Sequence, residues 1–121
     1  MTPYEVRSKV WLEFKGLSFL SSGRYELLMA VASTRSINAA AKALGISYRK
    51  AWSQLEAMEG HAPFLLLERR SGGKGGGETQ LTEEALELLD KFNKLRSEVQ
   101  FAADHYFSII FVDRGLGGKN E

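Results

Sequence analysis

The stretch SINAAAKALGISYRKAWSQLEAM, residues 36–58, contains two short helical patterns separated by one glycine. Ser36 is a favourable N-cap for the first pattern, whose three consecutive alanines have high helix propensity. Gly45 suits the left-handed position that ends many helices, and Ser47 is a second N-cap. The sequence therefore predicts two helices joined by a tight turn at Gly45, the second running from Tyr48 to Glu59.

Two helices that cross this closely need a small residue at their contact and apolar residues that hold them together. The small residue is Ala41, and the apolar positions are Ala40, Leu44, Ile46, Ala51 and Leu55. The second helix then exposes Ser47, Tyr48, Arg49, Lys50, Ser53 and Gln54. Such side chains bind base edges and phosphates, and a helix about 10–12 Å across fits a major groove about 12 Å wide. This pattern predicts a DNA-binding helix-turn-helix; the alternative is an ordinary helical hairpin with a solvated basic face.

A glycine-rich stretch, SGGKGGG at residues 71–77, lies between two strand patterns, Phe64 to Arg70 and Glu78 to Leu81. A phosphate-binding P-loop requires Ser or Thr directly after its lysine and a helix behind it, and neither follows Lys74. A flexible hairpin just after a helix-turn-helix instead predicts the wing of a winged helix, with a plain disordered hairpin as the alternative. The candidate DNA-binding residues are therefore Ser36, Ser47, Tyr48, Arg49, Lys50, Ser53, Arg69, Arg70, Ser71 and Lys74.

Before this region, the alternation of Val10, Leu12 and Phe14 predicts a half-buried strand from Val6 to Phe14. A short return strand from Leu17 to Leu20 and a helix of about three turns follow. The predicted fold class is α+β, a winged helix-turn-helix with a long C-terminal dimerisation helix. Trp52 shares a helix face with Tyr48 and either packs under the preceding helix or approaches DNA.

Thr82 is the predicted cap of the last helix, in which apolar residues recur at alternating spacings of three and four. This heptad pattern is typical of a helix that pairs with another helix. The predicted dimer interface consists of Leu88, Phe92, Leu95, Val99, Ala102, Tyr106 and Ile109. The predicted organisation is a winged-helix domain at 1–81, a dimerisation helix at 82–112 and a disordered tail at 113–121.

Charge is unevenly distributed, although the net charge is only +1. Residues 35–74 contain seven basic and three acidic side chains, whereas residues 78–104 contain seven acidic and three basic ones. Such asymmetry is typical of a protein with one face toward phosphate. A protein-interaction module, in which the basic face is incidental and the apolar C-terminal part binds a partner protein, is the alternative function.

The composition excludes several classes of chemistry. There is no cysteine, which excludes disulfides, cysteine-based zinc sites and thiol catalysis. His61 and His105 have no ligand-spaced partners, and the acids form no acid/base pair, so neither a metal, a cofactor nor catalysis is expected. No apolar run approaches the ~20 residues of a membrane span, and no signal peptide is recognisable, so a soluble cytoplasmic protein is expected.

Residues 36–52, the glycine-rich stretch and Leu81-Thr82-Glu83 resemble the N-terminal domain of the molybdate-responsive regulators of the ModE family. A broader likeness to LysR-type winged-helix domains covers the same region, about Val10 to Leu95. The resemblance implies a homodimer that binds a palindromic operator in double-stranded DNA, with the helix from Ser47 in the major groove. The positions that match the family's motifs are Ser47, Tyr48, Arg49 and Lys50 on that helix and Lys74 in the wing.

The sequence departs from this family in two respects. Arg35 stands where the family usually has glycine, and a left-handed backbone there would cost an arginine about 1 kcal/mol or more. Full-length ModE regulators also carry C-terminal oxyanion-binding domains, and no such domain is recognised within these 121 residues. We therefore expect that this chain does not bind molybdate on its own.

Overall fold

The computed structural model of the protein describes residues 3–70 and 77–112, in which four helices and two antiparallel strand pairs follow one another. The elements are β1 (Leu12–Phe14), β2 (Leu17–Leu20), α1 (Ser22–Thr34), α2 (Ile37–Leu44), α3 (Tyr48–His61), β3 (Leu67–Arg70), β4 (Glu78–Leu81) and α4 (Glu83–Ile110). β1 pairs with β2, and β3 pairs with β4. This is the predicted α+β winged helix-turn-helix with a long C-terminal helix.

The described residues form two compact units. One unit is residues 11–91, and the other contains residues 3–10 and 92–112. The predicted division at residues 81 and 82 stays a prediction, and the predicted tail at 113–121 lies outside the described residues. None of the helices within residues 3–70 and 77–112 is both long enough and apolar enough to cross a membrane.

The tight turn between α2 and α3 forms as the sequence predicts. The Ser36 hydroxyl accepts a hydrogen bond from the Ala39 N–H at 3.0 Å, and the Ser47 hydroxyl accepts one from the Lys50 N–H at 3.0 Å. Between them, Gly45 adopts a left-handed conformation with φ of 69°. Both predicted N-caps and the predicted turn residue are therefore confirmed, and the turn fixes where α3 begins.

Arg35 ends α1 in the left-handed region, with φ of 60° and ψ of 23°. Its N–H donates to the Val31 carbonyl at 2.7 Å, and its own carbonyl accepts a hydrogen bond from the Thr79 N–H at 3.0 Å. The guanidinium also lies 3.7 Å from the Glu78 carboxylate, an exposed pair that contributes little to stability. Arg35 thus adopts the conformation that glycine would favour. The hydrogen bond that its carbonyl accepts from Thr79 ties the corner between α1 and α2 to β4.

Three alanines are among the most buried residues of α2 and α3. Ala40, Ala41 and Ala51 are almost fully buried, as are Leu28, Val31, Leu55 and Met58 around them. Leu44, one of the apolar positions predicted to hold the two helices together, is 37% exposed. It lines a groove with Leu27 and the half-buried Ile46.

Two of the strands, β1 and β3, are shorter than predicted at their starts. β1 begins at Leu12 rather than Val6, because its partner β2 has only four residues. The Val6 carbonyl accepts a hydrogen bond from the Gln100 side chain at 2.9 Å instead of from a strand. β3 begins at Leu67 rather than Phe64, since the Leu66 N–H donates to the Glu59 carboxylate at 3.0 Å.

Helices α3 and α4 also differ slightly from their predicted ends. α3 continues through Gly60 to His61, two residues beyond the predicted end. α4 begins behind the predicted cap, since the Thr82 hydroxyl accepts a hydrogen bond from the Ala85 N–H at 3.1 Å. It ends at Ile110, two residues before the predicted end.

The predicted dimer-interface residues of α4 do not form one uniform stripe. Phe92 is only 1% exposed within the single chain, so it is already covered and is not available to a partner. Leu88 and Val99 are half-buried, and the other four, Leu95, Ala102, Tyr106 and Ile109, are exposed. The heptad spacing is real, but it combines a covered residue with exposed ones.

Replacing Gly45 with alanine and Gly60 with alanine should have opposite effects on stability. Neither added Cβ would meet another atom within 4 Å, so space does not decide the outcome. Gly45 has φ of 69°, where alanine is strained, and Gly45→Ala should lower the free energy of unfolding by about 1 kcal/mol. Gly60 lies within α3, a conformation that alanine adopts without strain. Alanine also has fewer conformations than glycine in the unfolded chain, so Gly60→Ala should raise the free energy of unfolding by about 0.5 kcal/mol.

Urea denaturation of the two variants and the wild type measures this difference. A Gly45→Ala variant as stable as the wild type would show that the left-handed turn is misplaced.

Candidate nucleic-acid interface

The first two turns of α3 present an exposed polar and basic surface. Tyr48 is 49% exposed, and Arg49, Lys50 and Ser53 are exposed too. Within the described residues, neither Arg49 nor Lys50 forms an ion pair. Their charges are therefore not neutralised by the described part of the chain, and both are available to phosphates.

Arg24, near the start of α1, holds α3 from behind. Its Nε donates to the Gln54 side-chain oxygen at 2.7 Å, and its Nη1 donates to the carbonyls of Ser18 and Phe19, each at 3.1 Å. The sequence predicts Gln54 to be an exposed base-reading residue, but it is half-buried and engaged by Arg24. The sequence did not reveal Arg24, because its partner on α3 lies thirty residues away.

Trp52 packs against both its own helix and the wing. Its indole N–H donates to the Tyr48 hydroxyl, and the two rings meet edge-to-face at 6.3 Å. On β3, the Arg69 guanidinium carbon lies over the Trp52 ring at 4.3 Å from its centre. The partners of Trp52 are therefore Tyr48 on its own helix and Arg69 on a wing strand, and its approach to DNA stays a prediction.

The wing strands pair in register, with Arg69 opposite Thr79 and Arg70 opposite Glu78. Both arginines are exposed at the end of β3 that leads into the glycine-rich stretch. Thr79 is buried, and its N–H bonds to the Arg35 carbonyl, so the hairpin is attached to the α1–α2 corner. The predicted contacts Ser71 and Lys74 lie outside the described residues.

The predicted contacts Ser36 and Ser47 have a structural task. Both hydroxyls cap helices, as described above, and Ser36 is half-buried whereas Ser47 is exposed. A capping hydroxyl accepts from the backbone and keeps its own proton for another acceptor. Their contact with DNA stays a prediction.

The described acidic and histidine side chains do not assemble into a metal site. Across residues 3–70 and 77–112, no three His, Asp or Glu side chains come together in a way that could hold a metal ion. His61 lies 2.8 Å from the Ala57 carbonyl of its own helix, and His105 contacts the ring of Tyr106. Both histidines thus have ordinary local contacts.

The geometry defines a winged helix-turn-helix with an exposed basic recognition helix. The bacterial regulatory helix-turn-helix proteins of the lysR family match residues 23–86, from α1 to the first turn of α4. This match covers more than half of the chain, and the chain belongs to that family. The predicted LysR-type resemblance is therefore confirmed.

Several relatives of the chain are proteins named ModE. The chain is 41% identical to the transcriptional regulator ModE of Haemophilus influenzae over 92 residues, which are 76% of this chain and 34% of that protein. It is 40% identical to the molybdenum transport protein ModE of Azotobacter vinelandii over 85 residues, 70% of this chain and 32% of that protein. It is 37% identical to the DNA-binding transcriptional dual regulator ModE of Escherichia coli K12 over 86 residues, 71% of this chain and 33% of that protein.

The chain thus spans about a third of the length of these relatives. The predicted resemblance to ModE regulators is confirmed over that third.

Arg24→Ala should destabilise the protein more than Arg49→Ala. The first change removes three hydrogen bonds that a charged guanidinium donates. The half-buried side-chain amide of Gln54 and the part-buried carbonyl of Phe19 then lose this donor. We expect a loss of about 1–3 kcal/mol in the free energy of unfolding. Arg49 is exposed and unpaired within the described residues, so Arg49→Ala should stay within about 0.5 kcal/mol of the wild type.

Both variants replace an arginine with alanine, and urea denaturation compares their free energies of unfolding directly. Equal stabilities would contradict a clamping role for Arg24.

Proposed function

We propose that this protein binds double-stranded DNA sequence-specifically and regulates transcription, with α3 in the major groove and the β3–β4 hairpin on the flanking backbone. The observation that carries the proposal is the exposed start of α3, where Arg49 and Lys50 have no ion pair within the described residues. Membership of a family of regulatory helix-turn-helix proteins supports the same function. So does the name of the Escherichia coli relative, a DNA-binding transcriptional dual regulator.

The side chains divide into two groups by chemistry. Arg49, Lys50 and Arg70 are long exposed cations suited to phosphates, which supply most of the affinity of such interfaces. Ser47, Tyr48 and Ser53 are short or rigid polar groups on α3, suited to base edges in the major groove. We also propose DNA contacts for Ser36, the N-cap of α2, and for Ser71 and Lys74 in the glycine-rich stretch.

This function involves no bond-making or bond-breaking by the protein. We therefore propose a regulator without catalysis or cofactor, acting in the cytoplasm where bacterial DNA lies. We also propose that the described residues do not bind molybdate, and titration calorimetry with molybdate tests this.

Removing the cations of α3 should weaken DNA binding without unfolding the protein. We expect Arg49→Ala plus Lys50→Ala to reduce affinity for duplex DNA by at least tenfold. The slope of log affinity against log salt concentration should fall by about 0.9 for each phosphate that the variant no longer binds. Fluorescence anisotropy with labelled duplexes, selected by the wild type from a random pool, measures both quantities.

Lys91→Ala is the control, because it removes a positive charge from α4, where Lys91 pairs with Glu87 at 2.7 Å. It should bind like the wild type. A wild-type affinity that does not change with salt would contradict groove docking.

We also propose that the protein is a homodimer that recognises a palindromic operator. Its interface is the apolar stripe of α4, which we define as Leu95, Val99, Ala102, Tyr106 and Ile109. These residues recur at spacings of three and four, and four of them are exposed in the single chain. A stripe of this kind fits a copy of itself about a two-fold axis, since each side supplies the same apolar positions.

A two-fold dimer has a direct consequence for binding. It presents two recognition helices, and proteins of this kind contact half-sites about 34 Å apart on one face of DNA. Binding of the first half-site raises the effective concentration of the second helix at its own half-site. Dimerisation would therefore be a condition of tight binding.

Charges placed in the apolar stripe should separate the dimer. Leu95 and Ile109 are 42% and 54% exposed, so Leu95→Glu with Ile109→Glu should leave the fold of the single chain intact. We expect this variant to sediment as a monomer near 13.5 kDa and the wild type near twice that mass. Affinity for duplex DNA should fall at least tenfold.

Phe101→Glu is the matched control, since Phe101 is 72% exposed but lies on a different face of α4 at 100° per residue. It should remain a dimer. A wild-type monomer at micromolar concentration would favour the alternative, in which a different protein covers the apolar stripe.

A further inference from the structure

The contact between Arg69 and Trp52 connects the wing with the recognition helix. Arg69 is the third residue of β3, and its guanidinium carbon lies 4.3 Å from the centre of the Trp52 ring. At this distance the cation is attracted to the electron-rich face of the ring. The Tyr48 hydroxyl, which accepts a hydrogen bond from the indole, fixes the ring in turn.

This contact leaves the donor groups of Arg69 available. Attraction to a ring uses the charge of a guanidinium and does not consume its N–H donors, which stay available for hydrogen bonds. Within the described residues, Arg69 forms no ion pair, and the residue is exposed. A planar donor fork that is already held in place matches the paired oxygens of a phosphodiester.

We propose that Arg69 is a phosphodiester-binding residue of the DNA interface and that Trp52 is the positioning residue that sets it. This inference rests on the proposed function and adds a specific dependence to it. A free arginine side chain populates many rotamers, and binding must select one of them. The Trp52 ring makes that selection before DNA arrives, so Trp52 affects DNA affinity through Arg69.

Arg70 supplies an internal comparison on the same strand. Successive side chains of a strand point to opposite faces, so Arg70 points away from the face that Arg69 shares with Trp52. Its contribution to DNA affinity is therefore independent of Trp52. The two neighbouring arginines differ in this one respect.

A double-mutant cycle tests the dependence. The probe is a fluorescein-labelled duplex that the wild type selects from a random pool, and the variants are Trp52→Leu, Arg69→Ala and their combination. We expect each single change to weaken binding about tenfold and the combination to weaken it no more than twofold beyond either. Trp52→Leu combined with Arg70→Ala should instead show the product of the two single effects.

The salt dependence separates positioning from a general loss of folded protein. Arg69→Ala should lower the salt slope by about 0.9, and Trp52→Leu should lower it in the same direction although it removes no charge. Unfolding of part of the sample would reduce the active fraction and leave the slope unchanged. Trp52→Phe keeps an aromatic face but lacks the indole donor to Tyr48, so it should restore the slope and most of the affinity.

Arg69→Lys keeps the test decisive if Trp52→Leu does not fold. Lysine retains the charge but lacks the planar fork, so it should recover less than half of the binding free energy that Arg69→Ala removes. Full recovery by lysine, or multiplied effects of Trp52→Leu and Arg69→Ala, would overturn the inference while leaving DNA binding in place. A wild type that selects no duplex from the pool overturns the proposed function itself, and this inference with it.

Discussion

The packing of α2 and α3 into the core includes three alanines with almost no exposed surface, Ala40, Ala41 and Ala51. A larger side chain at any of them would displace the elements around it, because protein interiors tolerate little added volume. α3 carries the exposed basic residues, so any displacement of α3 displaces them as well. The position of the recognition surface therefore depends on this packing.

Two further contacts extend that placement to the wing. The Thr79 N–H bonds to the Arg35 carbonyl at 3.0 Å, which attaches β4 to the corner between α1 and α2. Arg69 on Trp52 attaches β3 to α3. Each strand of the hairpin is thus held by a different helical element. The cations of the wing and of α3 consequently belong to one framework, which suits a surface that must match the fixed spacing of DNA phosphates.

Features that depend on neighbouring residues were predictable from the sequence. The caps at Ser36, Ser47 and Thr82 and the left-handed Gly45 follow from local backbone chemistry, and each appears where it was predicted. β4 also has its predicted bounds. Here the nearest few residues determine the conformation, and they are all visible in the sequence.

Features that depend on distant partners were not predictable. Gln54 looked like a solvent-facing polar residue because Arg24, which engages it, lies on another helix. The heptad spacing placed Phe92 and Leu95 in one stripe, yet Phe92 is covered within the chain and Leu95 is exposed. A periodic pattern shows which residues are apolar, but it does not show which neighbour covers them.

The hydrogen bond from Thr79 to Arg35 joins two backbone atoms, and this affects how related sequences can diverge. Since neither atom belongs to a side chain, position 35 can exchange glycine for arginine without detaching the hairpin. The stretch between β3 and β4 can likewise change in composition, because the anchoring contact does not involve it. Substitutions in the wing can therefore alter its proposed contacts with the DNA backbone while the attachment of the hairpin stays the same.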